Sequence, residues 1–331
     1  MLKVMKETVD FIVIGAQKAG TTSLFEHLKR HPEISLPAGK EAPYFSHDAA
    51  YARGWKNFMT KAAFGDPSCK WGTVSPLYMV GGVYEPLGAH DGHYDERTVP
   101  SRIQEHLPDV RMIAILRDPV DRAFSHYRMM VMNGFERRSF DEAIRGLLHP
   151  AALDSSRRQP EETAGYVTWG EYGRILAGYF DVFVSEQILV IFTDELERAP
   201  ERLLYRVHEF LGVTPGLLPD NLRTRYRVGG SERRISWLSP HRTPSPQGLQ
   251  RNMERNVIAR KLWHGLPDAS RRRMRRSYEA VGHRIDLWNR RDSENAVRPS
   301  EEAAALLRTH FAQDTARLAA LIEAEPPWQQ Q

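Results

Sequence analysis

Cysteine is almost absent: Cys69 is the single one in 331 residues. A lone thiol excludes an internal disulfide framework and any cysteine-based zinc centre, and it suits a reducing compartment. Long apolar runs are missing as well. No stretch approaches the roughly eighteen uncharged apolar residues that a membrane-spanning helix needs, and the opening MLKVMKETVDF has no apolar core of the secretory kind. Both absences lead to the expectation of a soluble chain that stays in the cytoplasm. Zinc-finger spacing, an RNA-binding aromatic signature and a helix-turn-helix pattern are lacking too, so nucleic acid is not expected as a partner.

What is present is a globular composition, 41% hydrophobic, with a formal charge of +4. The positive charge is local: residues 223–291 carry 18 Arg or Lys against 5 Asp or Glu. Two readings of that segment stay open, an anionic partner or a solvated helix surface such as Arg271, Arg272, Arg273, Arg275 and Arg276.

The chain alternates strands and helices. Phe11 to Ile14 is a continuous apolar run, as in a strand buried on both faces, and it ends at Gly15. Leu24 and Leu28 then predict a helix from Thr21 or Thr22 to about His31. MIAIL after Arg111 predicts a second buried strand. Asp118-Pro119 supplies the N-cap and first position of a helix reaching about Asn133-Gly134. Ile188 to Phe192 predicts a third strand, followed by a helix through Glu201 to Leu211 that closes at Gly212. This alternation predicts an α/β fold with a central parallel sheet flanked by helices in three layers. Segments 35–48 and 79–100 read as loops, 231–250 as a linker, and Glu301 to Glu323 as an amphipathic helix carrying Leu307, Phe311, Leu318 and Ile322.

The turn after the first strand carries the chemistry. In a parallel sheet, ligands gather where the strands end and helix N-termini begin. Gly15 and Gly20 permit close approach of an anion, Thr21, Thr22 and Ser23 add hydroxyls, and Lys18 adds a full charge. The turn is P-loop-like, yet a Walker A loop would place its lysine at position 21, which is Thr21. Gly15 and Gly20 are also wrongly spaced for a dinucleotide fingerprint. The alternative is a plain turn with incidental hydroxyls. At the end of the second strand Arg117 can hold a phosphate bidentately, and Ser125, eight residues on, can add a hydroxyl from the helix; the alternative is Arg117 paired with Asp118 or Asp121 and Ser125 as an ordinary helix residue.

Gly15-Ala16-Gln17-Lys18-Ala19-Gly20-Thr21-Thr22-Ser23 resembles the loop that binds the 5′-phosphosulfate of 3′-phosphoadenylyl sulfate (PAPS) in the sulfotransferase family. Arg117-Asp118-Pro119-Val120-Asp121-Arg122-Ala123-Phe124-Ser125-His126-Tyr127 resembles that family's 3′-phosphate-binding segment. Looser likenesses at His31-Pro32-Glu33-Ile34, Ser75-Pro76-Leu77-Tyr78, Tyr172-Gly173-Arg174-Ile175-Leu176 and Leu318 to Trp328 spread it over most of the chain. It is nearest to the carbohydrate-sulfating, heparan-type branch and its bacterial relatives.

The resemblance implies one sulfotransferase domain over residues 1–331, with a basic, helical C-terminal portion from about 231. It implies PAPS as co-substrate, adenosine 3′,5′-bisphosphate (PAP) as product and no metal. Lys18 would stabilise the leaving phosphate, Lys18, Ala19, Gly20, Thr21, Thr22 and Ser23 would cradle it, and Arg117 and Ser125 would bind the 3′-phosphate. Arg233 and Arg234 fall where relatives place a basic loop over the nucleotide, with surface charge the alternative. Lys40-Glu41-Ala42-Pro43-Tyr44-Phe45 matches the context of a catalytic glutamate, which makes Glu41 the implied base; a solvated carboxylate beside Lys40 is the alternative.

His47, His90, His93 and His126 are weaker bases, His126 being expected to face a neighbouring layer. The glycine-bearing His90–Asp95 loop lacks a regular element to hold a metal. Gly72-Thr73-Val74-Ser75-Pro76 departs from the relatives' Gly-Glu-Lys, which argues against a heparan-like acidic acceptor. Tyr44, Phe45, Trp55, Tyr78, Tyr166, Trp169 and Trp237 are candidates to line the acceptor pocket, about a third of them being expected near substrate and the rest in the core. A small-molecule, glycan or lipid hydroxyl acceptor and a monomer or homodimer are all compatible. A P-loop nucleotide kinase and a non-enzymatic polyanion-binding protein are the rival readings.

Overall fold

In this computed structural model the described residues are 8–37, 41, 43–85, 94–217 and 298–329, with the backbone of 231–233 and 290–292. Strands β1 (Phe11–Gly15), β2 (Ile34–Ser35), β3 (Lys70–Val74), β4 (Arg111–Leu116) and β5 (Ile188–Phe192) form one sheet in the order β2-β3-β1-β4-β5. Every neighbour pair is parallel. The predicted three-layer α/β fold is the one observed.

Alternation of side chains explains the layers. Ile12, Ile14, Met112, Ala114 and Leu116 enter one core with Ile103, Tyr172, Ile175, Leu176 and Tyr179. Phe11, Val13, Ile113, Ile115 and Ile191 enter the other with Leu24, Phe25, Leu28, Leu203, Leu204 and Val207. Period-two side chains thus meet apolar helices on both faces, which is why β1 and β4 read as unbroken apolar runs.

The helices connecting these strands, in order, are α1 (Thr21–Leu28), α2 (Asp48–Tyr51), α3 (Trp55–Ala62), α4 (Thr98–His106), α5 (Pro119–Asn133), α6 (Phe140–Leu147), α7 (Pro150–Arg158), α8 (Gly165–Thr168), α9 (Tyr172–Phe180), α10 (Thr193–Arg198) and α11 (Pro200–Leu211). Helices α2, α3 and α6 to α9 and strands β2 and β3 were not anticipated, and the loop expected over 79–100 gives way to α4 at Thr98. Where one helix was expected after β5, two occur, because Pro200 has no N–H to continue α10 and instead opens α11.

Two compact units are present, one of residues 1–126, 139–227 and 299–331, the other of 127–138 and 228–298. The second contains a short antiparallel ribbon, Ser231–Arg233 with Arg290–Asp292. Within the first, the C-terminal helix Glu301–Ile322 buries Leu307, Phe311 and Leu318 as its periodicity predicts.

That helix packs on α9 and anchors it. Asp314 accepts hydrogen bonds from the first-turn amides of Gly173 at 2.8 Å and Arg174 at 2.7 Å, so α9 is capped by a side chain from another helix. The approach is close enough that a Cβ on Gly173 would lie 2.3 Å from the Asp314 carbonyl oxygen and 2.8 Å from the Leu318 nitrogen. Beside it the buried Glu171 accepts from Arg157 (2.6 Å), Arg174 (2.6 Å) and His310 (2.9 Å). Burial opposes ionisation of Glu171, but the His310 and Arg157 hydrogen bonds prevail and hold its pKa at about 2. This junction serves the sheet edge, because Tyr172 donates to the Arg117 carbonyl at 3.0 Å.

Two outcomes follow. G173A must separate two backbones, and urea unfolding is expected to show a loss of about 2–3 kcal/mol. For Glu171 the folded pKa lies below the unfolded one, so its contribution is complete above about pH 4.5 and disappears as pH falls toward 2. Unfolding measured across that window should show a loss on the order of 3 kcal/mol in the native chain and a flatter acid limb in E171Q.

Candidate active site at the carboxyl edge of the sheet

The segment 16–20 leaves β1 and is fastened to its neighbours by backbone and side-chain bonds. The Ala16 amide donates to the Ile115 carbonyl at 2.8 Å and the Ala19 amide to the Ala16 carbonyl at 3.2 Å. Thr193, the first residue of α10, donates its hydroxyl to the Ala19 carbonyl at 2.6 Å. Gly20 is the N-cap of α1 with φ 97°, a left-handed conformation that glycine adopts without penalty, and it has no side chain to cap the first-turn amides. Lys18 also has a positive φ, 70°, which for a residue with a Cβ costs on the order of 1 kcal/mol or more. Ala19 and Thr21 are buried, while Lys18, Gly20, Thr22 and Ser23 are half-buried. The edge therefore presents a helix N-terminus, hydroxyls and one ammonium, a donor set suited to an oxyanion.

Arg117 stands one residue beyond β4, the strand next to β1. Its guanidinium pairs with Asp121 at 3.1 Å, an i,i+4 contact on the first turn of α5, and a third of its side chain is exposed. Asp118 caps that helix by accepting from the amides of Val120 (2.8 Å) and Asp121 (3.0 Å). Burial pushes the Asp118 carboxyl above its usual range, against the pull of the Asp121 amide. Ser125 lies half-buried two turns along the same helix.

Glu41 is exposed and forms a parallel backbone bridge with Val74, the last residue of β3. Because β3 and β4 flank β1, Glu41, the Lys18 loop and Arg117 occupy successive strand ends on one edge. Glu41 also lines a cleft of about 310 Å³ with Pro37, Pro43, Tyr44, Arg53, Asn57, Phe58 and Lys61.

A buried polar chain joins the two motifs. Arg122 is fully buried, and its Nη2 donates to the carbonyls of Gly165 (3.1 Å) and Tyr166 (2.5 Å). Its Nη1 lies 3.4 Å from His126 Nδ1. A guanidinium can only donate, so Nδ1 accepts and the His126 proton resides on Nε2, which donates to Glu162 at 2.8 Å. Burial, outweighing the Glu162 hydrogen bond, lowers the His126 pKa to about 4 and keeps the ring neutral. Glu162 then accepts the Gln17 side-chain amide at 3.2 Å on each oxygen. His126 thus faces another layer, as expected, stacking on Trp169 at 5.0 Å.

The expected residues Lys18 to Ser23, Arg117, Ser125 and Glu41 all belong to the first unit, and the first two groups and Glu41 share the edge. Arg233 is described only as backbone of the ribbon; Lys40, Arg234, His90, His93 and Trp237 lie outside the described residues. Of the aromatic candidates, Tyr44, Phe45, Tyr78, Tyr166 and Trp169 are buried, and Tyr44 also lines the Glu41 cleft. Glu162 and Thr193 were not singled out beforehand; each reaches the loop from more than a hundred positions away, with no local pattern to mark it.

Residues 8–232 match the family model described as the sulfotransferase domain. Similar curated proteins include heparan sulfate glucosamine 3-O-sulfotransferase 5 of Mus musculus, 27% identical over 211 residues, covering 64% of this chain and 55% of that protein. Bifunctional heparan sulfate N-deacetylase/N-sulfotransferase 4 of Mus musculus is 30% identical over 213 residues, 62% of this chain and 22% of that protein. The chain accordingly spans about half the length, or less, of these relatives. Among solved structures, a sulfotransferase from Alicyclobacillus acidocaldarius shares the fold with a TM-score of 0.63 at 22% identity, over 98% of this chain and 99% of its own. With the family model matched over well above half its length, the chain belongs to the sulfotransferase domain family.

Proposed function

We propose that this protein transfers a sulfuryl group from PAPS to a hydroxyl acceptor and releases PAP. The observation that carries the reading is the succession of Glu41, the Lys18 loop and Arg117 on the ends of β3, β1 and β4. A nucleotide with two anionic ends needs two separate cationic holds, and a group moving from it needs a base on the far side of the first.

In this reading the acceptor oxygen attacks sulfur in line as the bond from sulfur to the 5′-phosphate oxygen breaks. The electron pair passes to that oxygen, and Glu41 takes the acceptor's proton. Lys18 and the amides and hydroxyls of Gly20 to Ser23, with Ala19 in the loop, stabilise the charge that develops on the departing phosphate. Arg117 and Ser125 hold the 3′-phosphate; the exposed pair with Asp121, worth about 0–1 kcal/mol, is readily exchanged for a phosphate dianion. Arg233 and Arg234 are further candidates for that phosphate. No metal is required, since the lysine and amides supply the positive field.

The acceptor is a carbohydrate, glycolipid, phenol or metabolite alcohol, and the uncharged Thr73 and Val74 argue against the acidic sugars of the heparan relatives. The single cysteine supports a reducing cytoplasm. We take residues 1–331 as one catalytic domain because, after the basic segment, the chain returns to pack the C-terminal helix on α9.

Incubation with PAPS carrying radiolabelled sulfate and an extract of the native organism should label one compound class. E41Q should lower that transfer by about 10²–10⁴-fold while PAP binding stays unchanged. R117A should weaken PAP by about tenfold or more. Preference for ATP with magnesium over PAP in a binding titration would instead support a kinase.

A further inference from the structure

Lys18 is held in a left-handed conformation that its own Cβ disfavours, and the residues on either side of it are gripped from distant parts of the chain. Before it, the Gln17 amide rests on both oxygens of Glu162 at 3.2 Å. Behind Glu162 stand two fully buried groups, His126 donating at 2.8 Å and Arg122 beyond it. After it, the Ala19 carbonyl accepts the Thr193 hydroxyl at 2.6 Å, the shorter of two contacts, the other being to Leu116 at 3.1 Å. Thr193 begins α10 at the end of β5, so it reaches past the end of β4 to the loop that follows β1.

We propose that Glu162 and Thr193 are positioning residues for Lys18, holding the Gln17 side chain before it and the Ala19 carbonyl after it so that its ammonium is delivered to the phosphate at the sheet edge. The proposal rests on the reading of Lys18 as the group that meets the 5′-phosphate. Each acts through a neighbour of Lys18, Glu162 through the Gln17 side chain and Thr193 through the Ala19 carbonyl, where a flexible lysine cannot hold the loop alone. Gln17 transmits the first grip: its amide rests on Glu162, while its own carbonyl oxygen is buried without a hydrogen-bond partner among the described residues.

The test needs no knowledge of the acceptor. PAP and adenosine 3′-monophosphate, which lacks the 5′-phosphate, are titrated calorimetrically into the full chain. T193V and E162A should each weaken PAP about tenfold, because a charge-assisted contact loses its geometry, and leave adenosine 3′-monophosphate unchanged. T193S, which keeps the hydroxyl, should bind PAP as the native chain does. In a K18M background T193V should change PAP affinity by less than twofold, since the group it positions is gone. A purely structural role would weaken both nucleotides and persist in K18M. Thermal melts confirm folding, and two anchors on different elements keep the test alive if one variant unfolds. The proposal is overturned if K18M weakens PAP while T193V and E162A do not, or if their losses extend to adenosine 3′-monophosphate. Native-strength PAP binding by K18M overturns the reading of the loop, and this proposal with it.

Discussion

Parallel pairing sends every strand end of the sheet to the same side, and the adjacency of β3, β1 and β4 is what brings the functional candidates into one row. The register is not free to slip. With Ile12 and Ile14 in one core and Phe11 and Val13 in the other, each strand is locked from both faces by helices already packed against it. Polar chemistry is thereby forced to the edge, where chain leaving the strands finds helix N-termini instead of apolar neighbours.

Charge inside the molecule follows a second rule: it is buried where other groups partner it. Glu171 gathers Arg157, Arg174 and His310, and Asp314 takes two amides, so the first turn of α9 is set by groups from two other elements, α7 and the C-terminal helix. Tyr172 then carries that rigidity to the backbone of Arg117. The Arg122–His126–Glu162 chain does the same for Gln17. These desolvated groups contribute little net stability compared with an apolar core, but the directed hydrogen bonds they make confer definition on the edge.

Strands buried on both faces were legible because apolar runs such as FIVIG and MIAIL have few other uses. β3 was not. In KWGTV the middle residue is Gly72, seated against the ring of Phe11, and the strand shows neither a run nor an alternation. β2 is two residues long and carries no pattern at all. The phosphate-type loop and the Arg117 segment were legible because few residue types bind oxyanions and both occur in short, ordered sets. Glu162 and Thr193 were illegible, since their partners lie 145 and 174 positions away and only the folded sheet reveals the contact.

For Arg117 the observed ion pair and the proposed phosphate hold are compatible. Its pair with Asp121 sits on the first turn of α5, exposed, and fixed by helical spacing alone. Such a contact contributes little, yet it keeps a long side chain from folding back along the sheet and offers the guanidinium at the edge. A phosphate dianion carries more charge than a carboxylate and matches the planar fork as well, so under the proposed function it would displace Asp121 without unfolding the helix. On that reading the carboxylate would occupy the site between ligands, and the geometry of a plain ion pair would be the geometry that leaves Arg117 ready to bind.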